Sequence, residues 1–151
     1  MAGEVKSVVL LVEDDLGDQK LMRDALSQQG TKSHLEIVGT GEEALEYLER
    51  TKDDDSTPRP HLILLDLNMP RKDGREALRE IKADSELRRI PIVVLTTSKA
   101  EEDIYRTYEL GVSSFITKPV TFEGLVDLMK TLSKYWFEIV QLPPDKNGRW
   151  V

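Results

Sequence analysis

Three short runs of aliphatic residues constrain the fold of this chain more than any other feature of its sequence. They are Val8–Val12, Leu62–Leu65 and Ile92–Leu95, and polar residues follow each of them. Runs of this length without polar alternation are typical of strands buried on both faces, although a buried helix segment can have the same pattern. If they are strands, the rest of the chain must supply helices to cover two faces of one sheet.

The segments between these runs have the helical periodicity that such a sheet requires. Apolar residues recur at helical spacing in 17–29, 42–50, 74–82, 101–110 and 121–139. Two shorter strand candidates, 35–38 and 114–117, complete five strands that alternate with five helices. This alternation predicts an α/β fold with a parallel sheet and helices on both faces. Right-handed crossovers favour the flavodoxin-like strand order 2-1-3-4-5.

Length and composition indicate one globular domain. The chain has 151 residues, of which 39% are hydrophobic and 32% charged, and we expect a single domain over 1–151 with a core at about 6–139 and a tail at about 140–151. The net charge of −7 argues against a nucleic-acid or membrane partner, and no apolar stretch is long enough to span a bilayer. The absence of cysteine excludes disulfides and thiolate metal sites and fits a cytoplasmic protein.

Polar side chains follow the predicted strands at one edge of the sheet, where open α/β sheets bind their ligands. They are Glu13, Asp14 and Asp15 after the first strand, Asp66 and Asn68 after the third, Thr96 after the fourth and Lys118 after the fifth. Clustered carboxylates repel unless a cation joins them, and oxygen ligands without His or Cys suit Mg²⁺. An Asp beside Mg²⁺, a Lys and a Thr could accept a phosphoryl group. Each residue alone is more often a cap or a surface charge, but their convergence is harder to explain in that way.

Five motifs at these strand ends resemble the receiver domains of two-component response regulators. They are Leu11–Asp15, Leu65–Pro70, Asp73-Gly74, Leu95–Thr97 and Lys118-Pro119, and the resemblance covers about residues 6–135. It implies a signalling protein that accepts a phosphoryl group from a sensor histidine kinase, catalysing only its own phosphorylation and slow dephosphorylation.

The resemblance also assigns roles to individual residues. Asp66 matches the phosphoacceptor, and Glu13 and Asp14 match the acidic pair that holds the metal, Asp14 directly and Glu13 through water. Asn68 matches the residue whose backbone carbonyl binds the metal, and Lys118 matches the lysine that pairs with the phosphoryl group. Thr96 and Phe115 match the switch hydroxyl and the switch aromatic. The Lys118–Pro119 peptide bond is expected to be cis.

Finer features are similar to the stand-alone response regulators of bacterial phytochrome kinases. The shared features are the polar loop before Pro58-Arg59-Pro60, the run Lys72–Glu76, the run Leu95–Ser98 and an aromatic last helix that leads into Leu142-Pro143. One departure from the usual receiver pattern is Thr97, where Ala or Gly is common. A β-branched residue there is expected to narrow the approach of water or small phosphoryl donors.

Three other functions fit these residues less well. A haloacid-dehalogenase-type phosphatase needs a second Asp two residues after the first, and Asn68 occupies that position. A flavodoxin needs a phosphate loop after the first strand, where Glu13 and its acidic neighbours would repel phosphate. A receiver that acts as a phosphorylation-independent scaffold would not need the acidic pair or Lys118.

The last helix carries three consecutive aromatic residues, Tyr135, Trp136 and Phe137. Successive side chains on an α-helix differ by about 100°, so they cannot all face the core. Aromatic residues are common anchors of protein interfaces. We therefore expect a homodimer through the last helix, with these residues at its interface.

Overall fold

The computed structural model describes residues 7–28, 33–67, 73–96, 101–144 and 147–148. Its strands are β1 (Ser7–Val12), β2 (Ser33–Val38), β3 (Leu62–Asp66), β4 (Ile92–Thr96) and β5 (Ser114–Thr117). Its helices are α1 (Leu16–Ser27), α2 (Gly41–Asp53), α3 (Asp73–Ala83), α4 (Glu101–Glu109) and α5 (Phe122–Lys134), with a short 3₁₀ helix at Leu87–Arg89. All strand pairs are parallel and the strand order is 2-1-3-4-5, so the predicted fold is confirmed.

The three central strands are aliphatic throughout because both of their faces are covered. In β1, Leu10 and Val12 belong to the core on one side of the sheet, whereas Val9 and Leu11 belong to the core on the other side. The same alternation runs through β3 and β4. Helices α2 and α3 pack on the first face, and α1 and α5 pack on the second. A strand with two buried faces cannot keep the polar alternation of a half-exposed strand.

Side-chain caps fix the starts of three helices, and one of them belongs to the acidic run after β1. The Asp15 carboxylate accepts the N–H of Asp18 at 2.9 Å and so caps α1. Thr40 caps α2 and Thr121 caps α5 in the same manner. Gly124 allows the chain to pass closely over the loop before α5, since a Cβ there would lie 2.8 Å from the Cβ of Pro119.

The last helix differs from its prediction in its final turn. The α-helix ends at Lys134, and Tyr135–Ile139 form a π-helical turn in which the N–H of Val140 donates to the carbonyl of Tyr135 at 2.9 Å. The predicted single α-helix over 121–139 is therefore wrong beyond Lys134. Over five residues the hydrophobic spacing of an α-helix and of a π-helical turn differs too little for the sequence to show this change. Within the described ranges, every helix is too short or too polar to cross a membrane.

Candidate functional site

The carboxyl ends of four strands bring together the polar side chains that the sequence singled out. Glu13 directly follows β1, Asp66 ends β3, Thr96 ends β4 and Lys118 follows β5. Their exposed fractions are 1%, 4%, 1% and 8%, which is rare for charged residues. The backbone N–H of Lys118 donates to the carbonyl of Thr96 at 2.9 Å, so the strand register itself places the lysine at this edge.

The Lys118 ammonium group is the centre of the cluster. Its Nζ atom donates to Asp66 Oδ2 at 2.8 Å, to Asp18 Oδ2 at 2.6 Å and to Glu13 Oε1. An ammonium group has three N–H donors, and three carboxylates share them here. One cation thus faces three carboxylates, and the site as a whole attracts a further cation.

Burial and mutual contact shift the pKa values of this cluster. Desolvation, reinforced by the neighbouring Asp66 carboxyl group, raises the pKa of Glu13 to about 8. Burial alone would lower the pKa of Lys118, but its hydrogen bonds to Asp18, Asp66 and Glu13 outweigh that effect and raise it. The hydrogen bond from Lys118 lowers the pKa of Asp18. Lys118 is therefore charged at neutral pH, and without a second cation burial favours the protonated form of Glu13.

The carboxylates of this cluster fit a divalent metal ion. One oxygen each from Glu13, Asp18 and Asp66 lie within 4.8 Å of one another. The second oxygen of Glu13, Oε2, is buried and has no hydrogen-bond partner among the described residues. A buried carboxylate oxygen without a donor is costly, and a hard cation with oxygen ligands would compensate it. An open cleft of about 770 Å³ leads to the cluster and is lined also by Asp14 and Val120.

Not every residue of the predicted site lies in the cluster. Asp14 is exposed on the rim of the cleft, and Asn68 lies outside the described residues, as does Thr97. Asp18 was not predicted, although it contacts Lys118 directly. The sequence feature that could have indicated Asp18 is its position in the first turn of α1, four residues after Asp14. Side chains on a helix tilt towards its N-terminus, which here lies beside the end of β1.

The expectation of a cis Lys118–Pro119 bond is wrong in this structure, which has no cis peptide bond among its described residues. Proline lowers the energy of the cis form without removing the preference for trans. The predicted switch aromatic, Phe115, is partly buried against the core, and its N–H donates to the hydroxyl of Tyr108 on α4 at 3.2 Å.

The three aromatic residues of the predicted interface differ in their exposure. Tyr135 is 48% exposed, whereas Trp136 and Phe137 are partly buried and pack against the core formed with α1 and α5. The rings of Tyr135 and Trp136 make an edge-to-face contact with centroids 5.3 Å apart. Ile139 is 62% exposed in the same turn, so this segment leaves apolar surface uncovered.

The receiver motifs predicted a doubly wound α/β domain with an acidic residue, an aspartate and a lysine at one edge of the sheet. The structure has this class of fold, with Glu13, Asp66 and Lys118 at that edge. The chain belongs to the response regulator receiver domain family, whose model matches residues 9–130. This membership confirms the sequence-based assignment, and a haloacid-dehalogenase-type phosphatase is not supported. The protein is therefore a receiver-domain response regulator of two-component signalling.

Similar proteins include phytochrome-associated response regulators. The chain is 43% identical to the response regulator Rcp1 of Synechocystis sp. over 136 residues, which cover 90% of this chain and 92% of that protein. The structure of the phosphorylated cyanobacterial phytochrome response regulator RcpA superimposes with a TM-score of 0.84 at 41% identity, covering 92% of this chain and 99% of that one. The Mn²⁺-bound form of Rcp1 superimposes with a TM-score of 0.81 at 42% identity, covering 91% and 99%.

Proposed function

We propose that this response regulator accepts a phosphoryl group on Asp66 from a phosphohistidine of a sensor kinase. The observation that carries this proposal is the environment of Asp66. Its carboxyl group is 4% exposed, lies 2.8 Å from the Lys118 ammonium and is reached through an acidic cleft. A carboxylate held beside a fixed cation, with a hydroxyl residue on the adjacent strand, is equipped to attack phosphorus and to bear the charge of the product.

In the proposed reaction an oxygen of Asp66 forms a bond to phosphorus while the bond from phosphorus to the donor's imidazole nitrogen breaks. That nitrogen keeps the electron pair of the broken bond and later takes up a proton from water. Lys118 offsets negative charge on the phosphoryl oxygens, and the Thr96 hydroxyl is the donor on the neighbouring strand. Hydrolysis of the acyl phosphate by water would return Asp66 to its carboxylate form.

The residues present fit a divalent metal, and we propose Mg²⁺ as the natural ion. Glu13 and Asp66 would hold it, with Asp14 and the backbone carbonyl of Asn68 as further ligands expected from the family. Such an ion would lower the repulsion between the phosphoryl oxygens and the carboxylates. The Mn²⁺ form of Rcp1 indicates that a related site takes a divalent ion of this kind.

The similarity to Rcp1 and RcpA supports a phytochrome-type histidine kinase as the phosphoryl donor in the cytoplasm. We further propose that the signal leaves through protein contact, with a homodimer formed by the last helix and its π-helical turn. Tyr135 and Ile139 present exposed apolar surface there, and Trp136 and Phe137 lie beneath it. Phosphorylation of Asp66 would tune this contact through Thr96 and Phe115.

Transfer of labelled phosphate from an autophosphorylated phytochrome kinase tests the phosphoacceptor. The unaltered protein should become labelled in the presence of Mg²⁺, and the nearly isosteric Asp66→Asn variant should not. Asp24→Asn is the matched control because it removes an exposed carboxylate elsewhere on the same face of the sheet. Acid-labile phosphate on the Asp66→Asn protein would refute the assignment of this residue.

Light scattering tests the proposed dimer. The protein should be a dimer at high micromolar concentration, and replacement of Tyr135 and Ile139 by Ser should shift it towards the monomer. Phe122→Ser is the control, because it removes exposed apolar surface at the opposite end of α5 from the π-helical turn. A monomer at every concentration, with and without a phosphoryl mimic, would overturn the proposal.

A further inference from the structure

Asp18 occupies a position between the proposed phosphorylation site and solvent. It lies in the first turn of α1, where its own N–H donates to the capping carboxylate of Asp15 at 2.9 Å. Its side chain is 36% exposed, and its Oδ2 atom lies 2.6 Å from Lys118 Nζ. The capped helix start therefore presents a carboxylate to the buried lysine from the mouth of the cleft.

The Lys118 ammonium has no spare donor in this arrangement. Its three N–H groups meet Glu13, Asp18 and Asp66. A phosphoryl group on Asp66 would bring additional oxygens to the same ammonium. Asp66 itself releases one N–H donor, because its carboxylate becomes the acyl phosphate. The phosphoryl group brings three acceptor oxygens, so a second hydrogen bond to it requires that Glu13 or Asp18 also release the ammonium.

Burial decides which carboxylate gives way most readily. The Glu13 side chain is 2% exposed, so releasing it would leave a buried carboxylate without its cation. The Asp18 side chain is 36% exposed and can exchange the ammonium for water at lower cost. Asp18 and the incoming phosphoryl group therefore compete for hydrogen bonds from the Lys118 ammonium.

We propose that Asp18 is a positioning residue that holds Lys118 in the unphosphorylated site and competes with the phosphoryl group for its ammonium. This inference depends on the proposed function of Asp66. Asp18 stabilises the resting arrangement, which lowers the rate at which the site becomes phosphorylated. The chain would thereby be biased against small phosphoryl donors, since only a docked kinase supplies further binding energy.

Phosphorylation by acetyl phosphate at saturating Mg²⁺ measures this competition directly. In that reaction the bond from phosphorus to the acetate oxygen breaks as the bond to Asp66 forms, and acetate leaves with the electron pair. Asp18→Asn should raise the rate constant about three- to tenfold, the range expected for a partly exposed charge-assisted pair. Asp24→Asn, an equal change of charge on the same helix, should alter it less than about twofold by the same free-energy relation.

Two further measurements distinguish a positioning role of Asp18 from a role in metal binding or in the stability of the fold. Asp18→Glu should restore the slow rate, since a carboxylate one methylene longer can still reach the ammonium. If Asp18 keeps its 2.6 Å contact with Lys118 Nζ and leaves the metal to Glu13 and Asp66, the Mg²⁺ dissociation constant of Asp18→Asn should change less than about threefold. Loss of a metal ligand or its orienting partner costs about ten- to a hundredfold. Circular dichroism melting of each variant shows that the compared proteins are folded.

The results of these experiments distinguish failure of this inference from failure of the proposed function. A rate for Asp18→Asn equal to that of Asp24→Asn would overturn this inference while leaving the proposed function intact. A slower rate together with a large loss of Mg²⁺ affinity would make Asp18 a metal ligand instead of a competitor for Lys118. If the unaltered protein were phosphorylated neither by acetyl phosphate nor by a kinase, both the proposed function and this inference would be wrong.

Discussion

The two edges of the sheet hold charged side chains in opposite ways. At the carboxyl edge, Glu13, Asp66 and Lys118 are almost fully buried and share one hydrogen-bonded cluster. At the opposite edge, the ion pairs of the described residues include Lys52–Asp84 at 2.5 Å, whose side chains are 23% and 21% exposed. They also include Arg59–Glu86 at 3.0 Å, whose side chains are 13% and 55% exposed. Residues of the same chemical types are therefore in very different environments.

The difference separates charged residues that organise local structure, at the opposite edge, from charged residues suited to bind a ligand, at the carboxyl edge. At the opposite edge, Asp84 accepts the N–H groups of Glu86 and Leu87 at 2.8 and 3.1 Å and so organises the turn after α3. The four side chains of these two ion pairs all keep some access to water. At the carboxyl edge the buried carboxyl groups of Glu13 and Asp66 share one ammonium with the partly exposed Asp18, which is an unfavourable arrangement for an isolated domain. Such an arrangement is understandable if a bound cation or a phosphoryl group completes it.

The same substitution at the two edges should give the largest contrast. Lys118→Met leaves three neighbouring carboxylates without their cation and should lower the free energy of unfolding by about 3 kcal/mol at pH 8. Lys52→Met should have only a small fraction of that effect, because Asp84 remains hydrated and keeps its backbone donors. Urea denaturation without divalent metal measures both. Equal losses for the two variants would show that the buried cluster is not under electrostatic strain.

Mg²⁺ should stabilise the protein through the carboxyl edge alone. At ten times its dissociation constant, a ligand that binds only the folded state adds about 1.4 kcal/mol to the free energy of unfolding. For a domain of this size that corresponds to a rise in Tm of about 3–5 °C. Glu13→Gln should reduce the rise, whereas Glu86→Gln at the opposite edge should preserve it. A Tm indifferent to millimolar Mg²⁺ in the unaltered protein would contradict the metal site.

The metal-free protein should lose stability as pH rises towards 8. The pKa of Glu13 is raised to about 8 in the folded chain from an ordinary value of 4.5. Between these two pH values the folded state therefore keeps a proton on Glu13 that the unfolded state has released. Stability therefore falls with rising pH in that window. Asp18 contributes in the opposite sense, since its lowered pKa gives stability that is lost only as pH falls below about 4.

Denaturation between pH 5 and pH 9 measures this slope. Glu13→Gln should flatten it, because the amide cannot release a proton, and saturating Mg²⁺ should also reduce it by favouring the carboxylate. Glu86→Gln serves as the control at the opposite edge and should leave the slope unchanged. A slope that persists in Glu13→Gln would assign the titration to another group.

The carboxyl edge was the more predictable of the two from sequence. Parallel strands all end at one edge, so polar residues after aliphatic runs converge there whatever the loops do. In the structure Glu13 and Asp66 contact Lys118, whose N–H donates to the carbonyl of Thr96 at the same edge. Asp18 was missed although its place in the first turn of α1 puts it near the end of β1, because its contact with Lys118 also depends on the tilt of α1, which periodicity does not encode.

Short helical turns that differ from the α-helix in their backbone hydrogen bonding were less predictable. The 3₁₀ helix at Leu87–Arg89 and the π-helical turn at Tyr135–Ile139 each depend on hydrogen bonds that shift by one residue relative to an α-helix. The sequence around Asp84 has no apolar periodicity that would reveal the first. In the second, Trp136 and Phe137 pack against the core while Tyr135 stays 48% exposed. The 100° spacing predicts that the three cannot all face the core, but it does not say which of them faces outward.

The smallest effect should come from the Arg59–Glu86 pair at the opposite edge. Arg59 also donates to the Thr51 hydroxyl at 3.2 Å, so its guanidinium keeps a partner when Glu86 is removed. With the Glu86 side chain 55% exposed, water replaces the lost contact. A double-mutant cycle with Arg59→Met and Glu86→Gln should therefore give a coupling energy below about 0.5 kcal/mol that shrinks further in high salt. A coupling above about 2 kcal/mol, insensitive to salt, would show that charges at this edge are as tightly engaged as those around Lys118 and would remove the contrast between the two edges.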